Sequence, residues 1–195
     1  MKDIRHQIQE KNREAMHLHG YQGLRADLVV NELGITKGAY YHYFSGKQEL
    51  GYSIVDEFIA PEQLQFWGAL NGYFGHPIEG IVERLKALRT ELKNDYFMTG
   101  SELNNLIQEM SPLDEGFRAR LQRILEGMRL AIQGAIERGQ KSRLVKADAN
   151  AEEIALFVMA NLLGAFSLAK AFQDRKFFDR CIEQMIGFLR GFKGQ

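Results

Sequence analysis

Cysteine is almost missing from this chain: Cys181 stands alone, so no internal disulfide can form. Such usage suits a reducing compartment. Proline is scarce too, and Pro61 is expected to end or kink the helix that reaches it. Net charge is absent, because 25 basic residues balance 25 acidic ones. A neutral chain has no global attraction for nucleic acid, so groove binding would need a local basic patch. Even residues 1–50 carry only seven basic side chains against six acidic ones. The opening stretch MKDIRHQIQEKNREAM is charged throughout, and no apolar run of signal-peptide or membrane-spanning length is expected after it. We therefore expect a cytoplasmic protein without a membrane partner. Zinc-ligand spacing, a phosphate-cradling glycine loop and a nucleophile elbow are all lacking. That pattern predicts no enzyme, no catalytic residue, no metal and no cofactor. His17 and His19 lie two apart on a predicted helix and so diverge as ligands.

What the sequence does have is helical periodicity. Its 195 residues are 45% hydrophobic and 26% charged, an ordinary globular balance. The spacing predicts helices over 3–19, with Ile4, Ile8, Ala15 and Leu18 near one stripe, over 26–33, and over 36–44. A fourth runs from Lys47 to Ala60. Gly68, Gly72, Gly75, Pro77 and Gly80 mark an irregular connection. Further helices are expected over 78–92, 100–110 and 114–138, with 94–99 an interruption and Gly139 a stop. Asn150, followed by Glu153, caps an apolar helix to Ala171. A last helix covers 175–192. The fold class is therefore all-α. An N-terminal three-helix module over residues 1–46 precedes a larger helical bundle over 47–195.

The segment Ala26–Phe44 has the form of a helix-turn-helix. One short helix stops at Gly34, which can supply the positive φ of a sharp turn, and the next opens on Thr36, a good N-cap. Tyr40 and Phe44 share a face and should pack on Val29 and Leu33. Lys37, Gly38, Tyr41 and His42 are left outside. Gly38 and Ala39 permit close approach to a duplex. Lys37 sits at the helix start, where residues of such a motif read bases. Thr36, Tyr41, His42 and Lys47 are suited to phosphate oxygens.

GYQGLRADLVVNELGITKGAYYHYFSGKQEL resembles the DNA-binding signature of the tetracycline-repressor (TetR) family. The resemblance is carried by Gly20, Gly34, Thr36-Lys37-Gly38, Tyr41-His42, Phe44 and Lys47. It implies phosphate contacts from Thr36, Tyr41, His42 and Lys47, and base-edge contacts from Lys37, Gly38 and Ala39. Arg25 departs from the Ser or Thr that usually opens the second helix, which weakens a cap but adds a cation near the DNA backbone. GSELNNLIQEMS, at 100–111, resembles a stretch common in one branch of the family. There Ser101 replaces a frequent cysteine, which argues against thiol-based sensing.

The resemblance also implies a ligand-responsive regulator, repression being the family default, that binds a near-palindromic double-stranded DNA operator. It implies a homodimer formed through the helices near 150–171 and 175–192, with Gly164 and Ala165 allowing close helix approach. An unknown small-molecule effector would release the operator. Candidate lining residues are Phe58, Phe66, Trp67, Phe97, Leu103, Asn104, Ile107, Met110, Phe157 and Phe166. Such a lining suits a small apolar or aromatic molecule.

Overall fold

The computed structural model describes residues 3–194 and is all-α, in agreement with the periodicity. Among the described residues no strand forms; one isolated bridge pairs Val145 with Lys193. The residues cluster into two compact units. The first joins the chain up to Pro61 with Asn105–Gln122, and the second joins Glu62–Asn104 with the chain from Arg123 onward.

In the first unit, α1 (Ile4–His19) starts at Asp3, whose side chain accepts from Arg5 N at 3.3 Å. It stops at Gly20, where φ is 77°. Its buried stripe is Ile8, Gln9, Asn12 and Met16, while Leu18 is exposed. The expected apolar stripe thus gives way to one with two amides, each satisfied. Asn12 Nδ2 donates to Ile8 O at 2.8 Å, and Gln9 Nε2 donates to Ser53 Oγ at 3.1 Å. Buried amides are tolerated on such terms. After it come α2 (Ala26–Leu33), α3 (Lys37–Tyr43) and α4 (Lys47–Ile54).

Pro61 neither ends nor breaks the helix that reaches it. A π-helical stretch, Val55–Ile59, follows α4 and leads directly into α5 (Ala60–Gly68). Ala60 N donates to Val55 O, five residues back. Proline has no N–H to give and its ring crowds the carbonyl four residues back. Opening the turn by one residue just before it relieves both demands.

The remainder of this unit comes from the end of α8 (Glu102–Met110) and the start of α9 (Glu115–Lys141). Asp114 caps α9, accepting from Phe117 N at 2.8 Å, and also accepts from the Tyr52 hydroxyl at 2.6 Å. The Phe117 ring lies 4.7 Å from that of Tyr21 and 5.0 Å from that of Tyr52. Gly51 makes this possible: a Cβ there would come within 2.6 Å of Tyr21 and 2.7 Å of Phe117.

The second unit holds α6 (Pro77–Glu91), α7 (Asn94–Thr99), α10 (Ala151–Phe172) and α11 (Lys176–Arg190), with the rest of α9. Residues 94–99, expected as an interruption, form a helical turn and a half before Gly100, at φ 84°, ends it. Gly139 does not stop α9, which continues to Lys141. This glycine answers a packing need instead. A Cβ on it would sit 2.4 Å from Val145 Cγ2 and 3.2 Å from Pro77 Cγ.

Asn150 caps α10 as expected, its Oδ1 accepting from Glu152 N at 3.1 Å and Glu153 N at 3.2 Å. One expectation fails here. By length and composition alone α10 could cross a bilayer. Its buried side, from Ala151 through Val158 to Ala169, belongs to the core of this unit. A helix apolar on more than one face reads the same whether protein or lipid covers it. Phe97, Phe166 and Phe178 close the core, with centroids of 4.7 Å for Phe97–Phe178 and 4.6 Å for Phe166–Phe178.

Candidate nucleic-acid interface

The turn between α2 and α3 depends on Gly34, at φ 63°. A Cβ there would meet nothing within 4 Å, so backbone conformation rather than space calls for glycine. Thr36 then caps α3, its Oγ1 accepting from Ala39 N at 3.1 Å. The hydroxyl proton is left to donate elsewhere.

α3 divides sharply into two faces. Tyr40 and Phe44 are 2% and 1% exposed and join Val29 and Val30 in the core; Leu33, expected beside them, is half-buried. Burial pushes the Tyr40 hydroxyl up to about 12, so it stays protonated as a partner for Asn12. Thr36, Lys37, Gly38, Tyr41 and His42 are exposed, with Ala39 half-buried. Tyr41 is 54% exposed despite its size. A Cβ on Gly38 would meet only Thr36 Oγ1, at 3.8 Å, so the space above this turn is open. Among the described residues no salt bridge engages Lys37.

Two cations expected at the DNA backbone are shared with the protein. Lys47 Nζ donates to Gln22 O at 2.8 Å and lies 4.9 Å from the centre of the Tyr21 ring. Arg25 stands at the N-cap of α2 without capping it; its guanidinium donates to Asp27 at 2.7 and 3.3 Å. That pairing holds the Asp27 carboxyl below the usual carboxylate range. The Arg25–Asp27 spacing was open to a reading of the sequence.

The support for Gln22 was not. Glu109 accepts from Tyr21 N at 2.8 Å and Gln22 N at 2.7 Å. Nothing in the local pattern links residues so far apart in sequence.

In the second unit a cavity of about 70 Å³ opens among α5, α6, α7, α8, α9 and α10. Its buried wall is Trp67, Ser101, Leu103, Met128, Leu162 and Phe166. Half-buried Gln63, Leu88, Leu92, Tyr96 and Leu163 complete it. Trp67, Leu103 and Phe166 are therefore the expected lining residues that come together. Phe97 and Asn104 are consumed by packing: Phe97 packs at a tilt against Phe178, and Asn104 Nδ2 donates to Leu163 O at 3.2 Å and Ser167 Oγ at 2.9 Å. Phe66 lies beneath Arg84, and Phe157 packs on Phe188 at 4.1 Å. Phe58, Ile107 and Met110 belong to the first unit, where Phe58 stacks with His6 at 5.3 Å. Ser101, Met128 and Leu162 were not expected in a lining. Periodicity marks apolar residues but not which of them borders a void.

Comparison with known proteins agrees with this geometry. Residues 10–51 match the family of bacterial regulatory proteins of the tetR type, and residues 78–185 match the tetracyclin repressor-like C-terminal domain. The HTH-type transcriptional repressor DhaR of Mycobacterium sp. (strain GP1) is 24% identical over 91% of this chain and 87% of its own. The transcriptional regulator AcuR of Cereibacter sphaeroides is 29% identical over 55% of this chain and 49% of its own. A TetR-family regulator from Cytophaga hutchinsonii shares the fold with a TM-score of 0.85 at 16% identity, over 98% of this chain and 95% of that one. The reduced form of E. coli NemR does so with a TM-score of 0.82 at 18% identity, over 99% and 98%. These matches put the chain among transcription regulators and not among enzymes. With its N-terminal residues matching the DNA-binding part and its bundle matching the C-terminal part, the chain belongs to the tetR family of bacterial regulatory proteins.

Proposed function

We propose that this protein is a repressor that binds a near-palindromic operator as a homodimer and leaves it when a small apolar molecule enters the bundle. The observation that carries the reading is the two-faced α3: Tyr40 and Phe44 anchor it, while Lys37, Gly38, Tyr41 and His42 face outward. In this reading residues 1–46 dock on DNA and residues 47–195 sense and pair. Lys37, Gly38 and Ala39 approach base edges, and Thr36, Tyr41 and His42 meet phosphates. Arg25 and Lys47 add positive potential near the phosphates once Asp27 and the Gln22 carbonyl are exchanged or shared.

Pairing is supported by the outer side of the last two helices. Leu156, Leu168, Phe172 and Phe188 are all exposed there. A Cβ on Gly164 or Gly187 would meet no atom within 4 Å, so neither glycine serves packing within the chain. Small residues between large apolar ones fit the close approach of a second copy. A twofold pair would set two α3 helices roughly 34–36 Å apart, one turn of DNA.

A gel-shift with the DNA upstream of its own gene tests the reading. The ligand-free protein is expected to retard that fragment near 1 µM, with affinity falling steeply as salt rises. Failure to retard it at low salt would sink the proposal.

A further inference from the structure

The cavity in the second unit has a composition that selects its occupant. None of its eleven lining residues is Asp, Glu, Lys, Arg, His or Cys. An ion entering it would lose its water and find no opposite charge. With no thiol on the wall, and with Cys181 not among the lining residues, the occupant is held without a covalent bond.

Size narrows the class further. A cavity of about 150 Å³ lined by apolar side chains accepts benzene. This one is about 70 Å³. It suits a molecule of at most about four non-hydrogen atoms, with Met128 and the half-buried leucines able to adjust around it.

Hydrogen-bonding chemistry adds polarity. On the buried wall the polar side chains are Trp67 and Ser101. The indole N–H can only donate. Ser101 Oγ accepts from Asn104 N at 3.5 Å, which leaves its own proton to give. Both have a proton to offer an acceptor on the ligand.

We infer that the effector is a small neutral molecule with a short apolar body and one hydrogen-bond acceptor, such as a carbonyl oxygen, bound reversibly against Trp67 and Ser101. The inference rests on the effector reading above and gives it a chemical class.

Propanone and acetate test it, because they share a skeleton and differ in a methyl group against a charged oxygen. The protein has one tryptophan, so the Trp67 indole N–H gives one reporter resonance in a nitrogen–proton correlation spectrum. Propanone should displace that resonance saturably, and acetate should bind at least tenfold more weakly. Leu163→Phe, which adds volume at the half-buried side of the wall, should abolish the displacement. Ser101→Ala should weaken it severalfold. Circular dichroism and the gel-shift identify any variant that has failed to fold. No saturable displacement by propanone, equal binding of acetate, or unaltered binding in a folded Leu163→Phe protein overturns the inference. If propanone binds as stated yet never releases DNA, the effector reading fails and the ligand class of the cavity stands. If no DNA is bound at all, the operator reading fails separately.

Discussion

At the scale of single residues, the cations that open α3 and α4 are in two different states. Lys37 projects with no salt bridge among the described residues, whereas Lys47 is already bonded to Gln22 O and laid over Tyr21. The two should therefore respond differently to truncation. Lys37→Ala is expected to lower discrimination at one operator position by about 1–3 kcal/mol. Lys47→Ala is expected to weaken all sequences alike and to reduce the salt slope. Competition gel-shifts over a set of single-base operator variants check both, and uniform weakening by Lys37→Ala would make it a phosphate contact instead. At this scale the motif was legible, because Gly34, Thr36 and the aromatic run act through local backbone geometry. The partner of Arg25 is also local, while the Gln22 carbonyl beneath Lys47 is set by Glu109, a residue of another helix.

Among the elements, two contacts of the bundle decide how helices meet. At Gly139, α9 lies so close to Val145 and Pro77 that a methyl group has no room. Gly139→Ala should cost about 1–3 kcal/mol through overpacking, although alanine favours a helix. Urea denaturation measures this, and a stabilised variant would refute the packing account. α6 and α11 are tied by Glu79, which accepts from Arg190 Nε at 3.1 Å and lies 2.7 Å from Lys193 Nζ. These cations hold the Glu79 carboxyl down at about 2, from an ordinary 4.5. A lowered carboxyl stabilises the fold above its unfolded value, so this contribution should vanish as pH falls from 4.5 toward about 2. Glu79→Gln should remove that part of the acid sensitivity, read as urea midpoints against pH. An identical pH profile in wild type and variant would rule the tie out as a source of it.

For the whole molecule, the zero net charge gives α3 no global attraction to DNA, and under the proposed function tight binding comes from two linked copies. Leu156→Glu combined with Leu168→Glu should give a folded monomer by light scattering. That monomer should bind the operator at least a hundredfold more weakly, as expected when one of two joined contacts is lost. A monomer with undiminished operator affinity would contradict the paired reading.

Taken by itself, the amino-acid sequence determined the all-α class, the helix-turn-helix and most helix ends. These rest on short-range physics: the apolar period of a helix, the positive φ of Gly34, and the side-chain caps at Thr36 and Asn150. Only the tertiary structure decided how α4 passes Pro61, why Gly139 is glycine, and which of the apolar residues border a void. The last two depend on atoms brought together from distant parts of the chain. Periodicity tells that a side chain is buried; only packing tells what it is buried against.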